Sequence, residues 1–268
     1  MRVEPIAVGC YAHDIKRGGH GMPITRDLSD KYRFSKSLFF LNDSFFDKDW
    51  PCFGKRNHSK AEGNGNSQTI PIIGNSLTVP DNVPDILNAD IPIIGTDKLF
   101  YRPSEWPERQ PLVKILAYCL MPNHLHLLLK EIVDGGISFF MKKLGQSMSN
   151  HFNEKYDTIG SIFQGSYKGK TIKQDEYLKI LAVYIMVKNP FELYPKGYAA
   201  ALKNFEDAWQ WALQYPFSSL PDYASKRKSP IIDKDILGEI FETPGEFKSF
   251  AKDYMLWKAE QFGAVALK

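Results

Sequence analysis

Two histidines one residue apart are the sharpest chemical feature of this chain. They stand in the run Met121-Pro122-Asn123-His124-Leu125-His126-Leu127-Leu128-Leu129. Side chains alternate faces along a strand. His124 and His126 therefore point one way, and Leu125, Leu127 and Leu129 point the other. Imidazoles at that spacing can share one metal ion, and with an oxygen ligand the set suits Mn²⁺ and tolerates Mg²⁺. A bare His-x-His pair is nonetheless more often two half-exposed strand residues without a task. The second candidate is Tyr184 in LAVYIMVKNP, where helical spacing sets Tyr177, Leu181, Tyr184 and Lys188 on one stripe. A tyrosine there is ordinarily a core residue with its hydroxyl at the rim. Beside a metal-polarised phosphate it is a nucleophile. Tyr177 and Tyr156 are equally available by composition. The third feature is a set of lysines, Lys142, Lys143, Lys155, Lys168, Lys170 and Lys173, around Phe163, Gln164 and Tyr167. Cations interleaved with rings suit a single nucleic-acid strand, with phosphates on the lysines and bases on the rings. A solvated lysine-rich surface gives the same pattern.

These residues need elements to hold them. Ile6 to Ile15 reads as a first strand ended by the glycine-rich Arg17-Gly18-Gly19-His20-Gly21. Apolar residues at helical spacing follow from Asp27 to Phe46, with Asp27 or Thr25 as the cap. LVKILAYCLM predicts a buried strand, Pro122-Asn123 a tight turn, and HLHLLLK the returning strand. The spacing of Phe140, Leu144, Met148 and Phe152 predicts a helix from about Ile137 to Tyr156. A loop and a short extended piece lead to a helix opened by Gln174-Asp175-Glu176 and stopped by Pro190. Further helices are expected at Leu202 to Leu213 and Pro244 to Phe262, around an aromatic turn YPFSSLPDY. The order predicts an α+β fold, an antiparallel sheet with helices on one face. Four segments result: residues 1–46 (first strand and helix), 47–111 (a Pro-, Gly-, Asn- and Ser-rich insertion, disordered in part), 112–198 (the motif-bearing part) and 199–268 (a helical C-terminal extension).

Composition sets outer limits. A chain of 268 residues, 43% hydrophobic and 24% charged, can bury a sizeable core. A net charge of +3 does not argue for nucleic acid by itself, so a basic surface has to come from uneven distribution. Cys10, Cys52 and Cys119 form no Cys-x-x-Cys pair, which speaks against a disulfide framework or a thiolate zinc site. No signal-peptide core or run of about 18 apolar residues occurs. The expectation is a soluble, cytoplasmic protein with no membrane partner.

In combination, these stretches resemble the single-tyrosine His-hydrophobe-His transposases, including the REP-associated tyrosine transposases. The resemblance is carried by GCYAHDIKRGGHG, YCLMPNHLHLLLK, ISFFMKKLGQSMSNHFNEKY, GSIFQGSYKGK, DEYLKILAVYI and Asn189-Pro190, and more loosely by YPFSSLPDY. It spans most of the chain except about residues 47–110. It implies a ferredoxin-like sheet with the two histidines on a central strand. It also implies metal-dependent cleavage and rejoining of single-stranded or hairpin DNA through a 5′-phosphotyrosine link. On this resemblance Tyr184 is the nucleophile, and His124, His126 and Asn189 hold Mg²⁺ or Mn²⁺. Arg17, Lys142, Lys143, Gln164, Tyr167, Lys168, Lys170 and Lys188 then lie along the DNA. The tyrosine meets the histidines within one subunit or across a homodimer.

The chain departs from the family pattern at one informative place. The family has Asn or Gln four residues after its tyrosine, where this chain has Lys188, and Asn189 comes one residue later. On a regular helix that extra residue turns Asn189 by about 100°. Either the helix end is irregular and brings Asn189 back, or another residue is the third ligand, or the site is weakened. The competing expectation is a non-catalytic nucleic-acid-binding module on the same fold.

Overall fold

The computed structural model describes residues 6–44, 100, 102, 104 and 106–262. Most of the 47–111 insertion lies outside the described residues, so its expected partial disorder is not addressed.

Strand β1 spans Tyr11–Arg17, five residues later at its start than the sequence reading. Helix α1 spans Leu28–Phe40. It opens on a capping box in which Asp27 accepts from the Asp30 N–H and Asp30 reaches back to the Asp27 N–H, an arrangement worth about 1 kcal/mol. β2 (Val113–Met121) and β3 (His124–Glu131) form the expected hairpin across Pro122-Asn123. α2 (Gly136–Tyr156) follows, with the predicted stripe Phe140, Leu144, Met148 and Phe152 buried. β4 (Lys168–Ile172) completes a four-stranded antiparallel sheet of order β2-β3-β1-β4. The β-α-β-β-α-β sequence with this strand order is the ferredoxin-like arrangement.

Both faces of the sheet are covered, where the sequence suggested one. Leu125, Leu127 and Leu129 of β3 pack with Phe34 and Leu38 of α1 and Phe140 and Leu144 of α2. The opposite face, carrying Cys119, Met121 and Leu128, packs against α3 (Asp175–Val183) and the helices beyond it. The run of the C-terminal part is α4 (Asn189–Glu192), α5 (Tyr198–Lys203), α6 (Phe205–Leu213), α7 (Leu220–Tyr223), α8 (Ile236–Ile240) and α9 (Pro244–Phe262). Residues from these helices, among them Phe205, Trp209, Leu237 and Phe247, share one core with the sheet. The C-terminal part therefore supplies the second covering layer of the sheet. This explains why β2 reads as a continuous apolar run: a strand buried on both faces has no polar side to show.

The aromatic turn has a related task. Leu120 donates its N–H to the Phe217 carbonyl and Ser219 donates to the Tyr118 carbonyl, so the segment closes the outer edge of β2. The end of the insertion is also tied down, with the Phe100 ring against Phe39, the Trp106 ring against Phe40, and Arg102 paired to Asp43 at 2.9 Å.

Candidate active site

Strand parity puts the chemistry on the face covered by α3. In β3, His124 and His126 share that face, as the alternation predicts; their ring centroids are 4.8 Å apart. The register pairs His124 with Arg17, His126 with Ile15, and Lys170 and Lys168 of β4 with His13 and Ile15. Cross-strand partners share a face. Arg17, Lys168 and Lys170, all exposed, thus form a basic border beside the histidines.

The sequence reading did not single out His13. Its Nε2 lies 2.9 Å from Nδ1 of His126, and the two rings meet edge to edge, with centroids 5.2 Å apart and planes within 20° of each other. The available signal was parity: Tyr11, His13, Ile15 and Arg17 alternate onto the face that the register gives to His124 and His126. Asn123 was read only as a turn residue. Its Oδ1 is 2.6 Å from His124 Nδ1 while its Nδ2 donates to the Gly21 carbonyl. Close approach there depends on Gly18, whose N–H bonds the Asn123 carbonyl at 2.8 Å. A Cβ on Gly18 would run into the Met22 carbonyl oxygen.

Tyr184 lies over this pair of strands. Its ring is 5.3 Å from His126 and 6.0 Å from His13, edge-on to both. Tyrosine and histidines therefore meet within one subunit. Burial, followed by the nearby Glu192 carboxylate, raises the Tyr184 pKa, so the phenol stands protonated at neutral pH. Burial, joined by Lys170, takes His13 down to about 4. Burial with Arg17 nearby lowers His124, and burial with His13 and His124 nearby holds His126 well below the usual imidazole range. All three imidazoles are neutral at pH 7, the state in which a ring nitrogen has a lone pair for a cation.

The helix after Tyr184 is irregular. Residues Tyr184–Lys188 form a π turn, and the Asn189 N–H bonds the Tyr184 carbonyl, closing one turn over five residues instead of four. Asn189 thereby stands one turn beyond Tyr184 despite the additional residue. Pro190 does not stop the helix as expected; it lies in the first turn of α4. Asn189 is fully buried, and its carboxamide Oδ1 and Nδ2 have no hydrogen-bond partner; nor does the buried Nε2 of His126. Buried polar atoms without partners are uncommon and call for an explanation. Two neutral imidazoles and a carboxamide oxygen are a donor set that fits a divalent cation such as Mn²⁺ or Mg²⁺. Among the described residues no group of three or more His, Cys, Asp or Glu side chains is placed to hold a metal, so the fit depends on the carboxamide.

The remaining expected DNA contacts divide. Lys188 is 6% exposed, with its Nζ 2.7 Å from Glu192 and 4.9 Å from the centre of the Tyr184 ring. It is a neighbour of the tyrosine but is enclosed, because the π turn directs it inward. Gln164 is exposed and donates its backbone N–H to the Arg17 carbonyl, at the end of β1. Lys142 is exposed on α2, across the sheet from the histidines. Tyr167 meets Ser138 of α2 at 2.9 Å, on that same side. Lys143 is 8% exposed and donates to the Asp43 carbonyl, so the structure corrects its expected surface role. Counting lysines off the apolar stripe missed that a long side chain can reach inward to a backbone acceptor. Lys155 is likewise engaged, with Asp27 and Asp30.

With this geometry in place, residues 108–188 match the family model described as transposase IS200 like. That segment is similar to the IS200-like transposases. The match runs from the strand before the histidines through Tyr184 and ends on Lys188, one residue short of Asn189. Outside it lie β1 with His13 and the C-terminal helices. No curated protein matches the chain. A solved structure of a REP-associated tyrosine transposase bound to a REP hairpin aligns over 86% of this chain and 88% of its own. Its identity is 11% and its TM-score 0.40, too low to carry an argument about this protein. The transposase-like segment thus holds both histidines and the tyrosine in one family-matched stretch. No helix among the described residues is long and apolar enough to cross a membrane.

Proposed function

We propose that this protein nicks and rejoins single-stranded DNA, with Tyr184 as the nucleophile. The observation that supports this most is the 5.3 Å approach of the Tyr184 ring to His126, on the strand that also presents His124. His124, His126 and Asn189 are the residues that would hold a divalent ion, Mg²⁺ or Mn²⁺. When bound, such an ion supplies positive charge to the scissile phosphate and the departing oxygen.

The chemistry of the chain's own groups is then limited. The Tyr184 phenol loses its proton and its oxygen attacks the phosphorus. The bond to the 3′ oxygen breaks, and that oxygen leaves as a 3′ hydroxyl once protonated. The product is a 5′-phosphotyrosine. A 3′ hydroxyl of another strand reverses the step and releases Tyr184, so joining needs no nucleotide cofactor. Arg17, Lys168 and Lys170 line the same sheet face and suit the phosphates of a strand or hairpin leading to the tyrosine. Lys188, paired to Glu192, is better suited to fixing the Tyr184 ring than to gripping the backbone.

The deciding assay is incubation of the full chain with labelled single-stranded DNA from the hairpins flanking its gene, with Mn²⁺ or EDTA, on a denaturing gel. A metal-dependent, protease-sensitive adduct that disappears in Tyr184→Phe is the expected result. An adduct that persists in Tyr184→Phe moves the nucleophile elsewhere. Binding with no adduct in any metal favours the non-catalytic module.

A further inference from the structure

The two histidines of β3 are each held from behind, and by different residues. His124 Nδ1 faces the carboxamide oxygen of Asn123 at 2.6 Å. The carboxamide is fixed in that sense because its Nδ2 donates to the Gly21 carbonyl. An oxygen can only accept, so His124 carries its proton on Nδ1 and keeps a lone pair on Nε2. His126 Nδ1 faces another imidazole, His13 Nε2, at 2.9 Å. One of those nitrogens donates and the other accepts.

The two assignments are not equivalent. If His13 donates, His126 must carry its proton on Nε2, which is buried and has no partner; a buried N–H is then left without an acceptor. If His126 donates from Nδ1, its buried Nε2 keeps a lone pair, which a cation can fill. His13 then carries its own proton on Nδ1. His13 is only partly buried, and its Nδ1 is not among the buried atoms lacking a partner. The second assignment leaves neither ring with a buried N–H that lacks an acceptor. It also matches what Asn123 imposes on His124.

We propose that His13 is a positioning residue: its Nε2 accepts the Nδ1–H of His126, fixing the ring and tautomer that turn Nε2 to a divalent cation. This rests on the metal reading of the site given above. It also assigns a task to β1, which lies outside the segment matched to the transposase family. Residues that take the second ring N–H of a metal-binding histidine set both its orientation and its basicity. The near-coplanar rings, with planes 20° apart, suit an in-plane N–H···N bond that holds the His126 ring in place.

The test is Mn²⁺ binding to the full chain without DNA, by calorimetry, with thermal melts to verify folding. His13→Phe should keep the ring's shape but remove the acceptor, and should weaken Mn²⁺ about 10- to 100-fold. His13→Gln, whose Oε1 accepts at a similar reach, should remain within about threefold of wild type if a hydrogen-bond acceptor is what matters. Long-range ¹H–¹⁵N spectra of the metal-free wild type should show His126 protonated on Nδ1, a readout that serves even if a variant fails to fold. Unchanged Mn²⁺ affinity in folded His13→Phe, equal losses in folded His13→Gln and His13→Phe, or an Nε2–H form of His126 overturns the proposal. Absence of Mn²⁺ binding to wild type instead overturns the metal reading itself.

Discussion

Deleting Lys188 should leave the protein folded and the proposed cation site intact, although it removes a buried residue beside Tyr184. On a regular helix each residue turns about 100°, so a residue five after Tyr184 stands about 140° away from it and a residue four after stands about 40° away. The π turn closes five residues in one turn, with the Asn189 N–H on the Tyr184 carbonyl. Removing Lys188 allows an ordinary α turn and puts the same asparagine four residues after Tyr184, one turn on as before. What is lost is the contact of Lys188 with the Tyr184 ring and the Lys188–Glu192 pair at 2.7 Å, in which the Glu192 side chain is 31% exposed. A partly exposed pair is worth about 1 kcal/mol at most, a shift in Tm of about 2–4 °C for a protein near this size. Mn²⁺ affinity should stay within about threefold, under 1 kcal/mol. Inserting an alanine between Lys188 and Asn189 should do the opposite, turning Asn189 a further 100° or so and weakening Mn²⁺ about tenfold or more, 1.4 kcal/mol. Calorimetric titration of both variants, with circular-dichroism melts, makes the comparison. A folded deletion variant that loses tenfold or more, or an insertion variant that binds normally, refutes the idea that the wide turn keeps Asn189 in register.

Two further outcomes follow from the surface and the helix cap. Lys168→Ala combined with Lys170→Ala should weaken single-stranded DNA binding and reduce the slope of log K against log salt by about 1.4, 0.7 for each lost phosphate contact; fluorescence anisotropy from low to moderate salt measures it, and an unchanged slope removes these lysines from the DNA path. Asp30 is opposed by burial, but hydrogen bonds from His151, the Arg26 N–H, Lys155 and Tyr156 outweigh it and hold the carboxyl well below the usual range. Its contribution is therefore complete above the unfolded-state value near 3.8 and is lost as the pH falls toward the folded-state value. Asp30→Asn should cost about 2 kcal/mol at pH 7 and progressively less below about pH 4, and denaturant unfolding from pH 2.5 to 7 showing a constant difference would contradict this.

The sequence alone was enough for features set by local chemistry and period. Alternation put His124 and His126 on one side of a strand, Pro122-Asn123 marked the hairpin, and the cap of α1 was narrowed to Asp27 or Thr25, of which the structure uses Asp27. The order of elements was sufficient for an antiparallel α+β sheet, and its ferredoxin-like form was implied by the family resemblance. The departure at Lys188 was visible too, because counting residues from Tyr184 requires no structure. Whether the helix would absorb it was not visible. A π turn is a compromise between helix periodicity and the packing of α3 and α4 in the same core, and packing is not written in a local window.

What only the tertiary structure decided depends on register between distant segments. His13 is 113 residues from His126, and nothing short of the β1–β3 pairing brings Nε2 to Nδ1. The helices after Pro190 read as an extension because their apolar faces say that they are buried but not against what; the fold places them on the second face of the sheet. The lysines show the same limit. Lys168 and Lys170 border the histidines because β4 pairs with β1, while Lys143 turns inward to a backbone carbonyl. Sequence determined which side chains and periods were available, whereas strand register and core packing determined which of them meet.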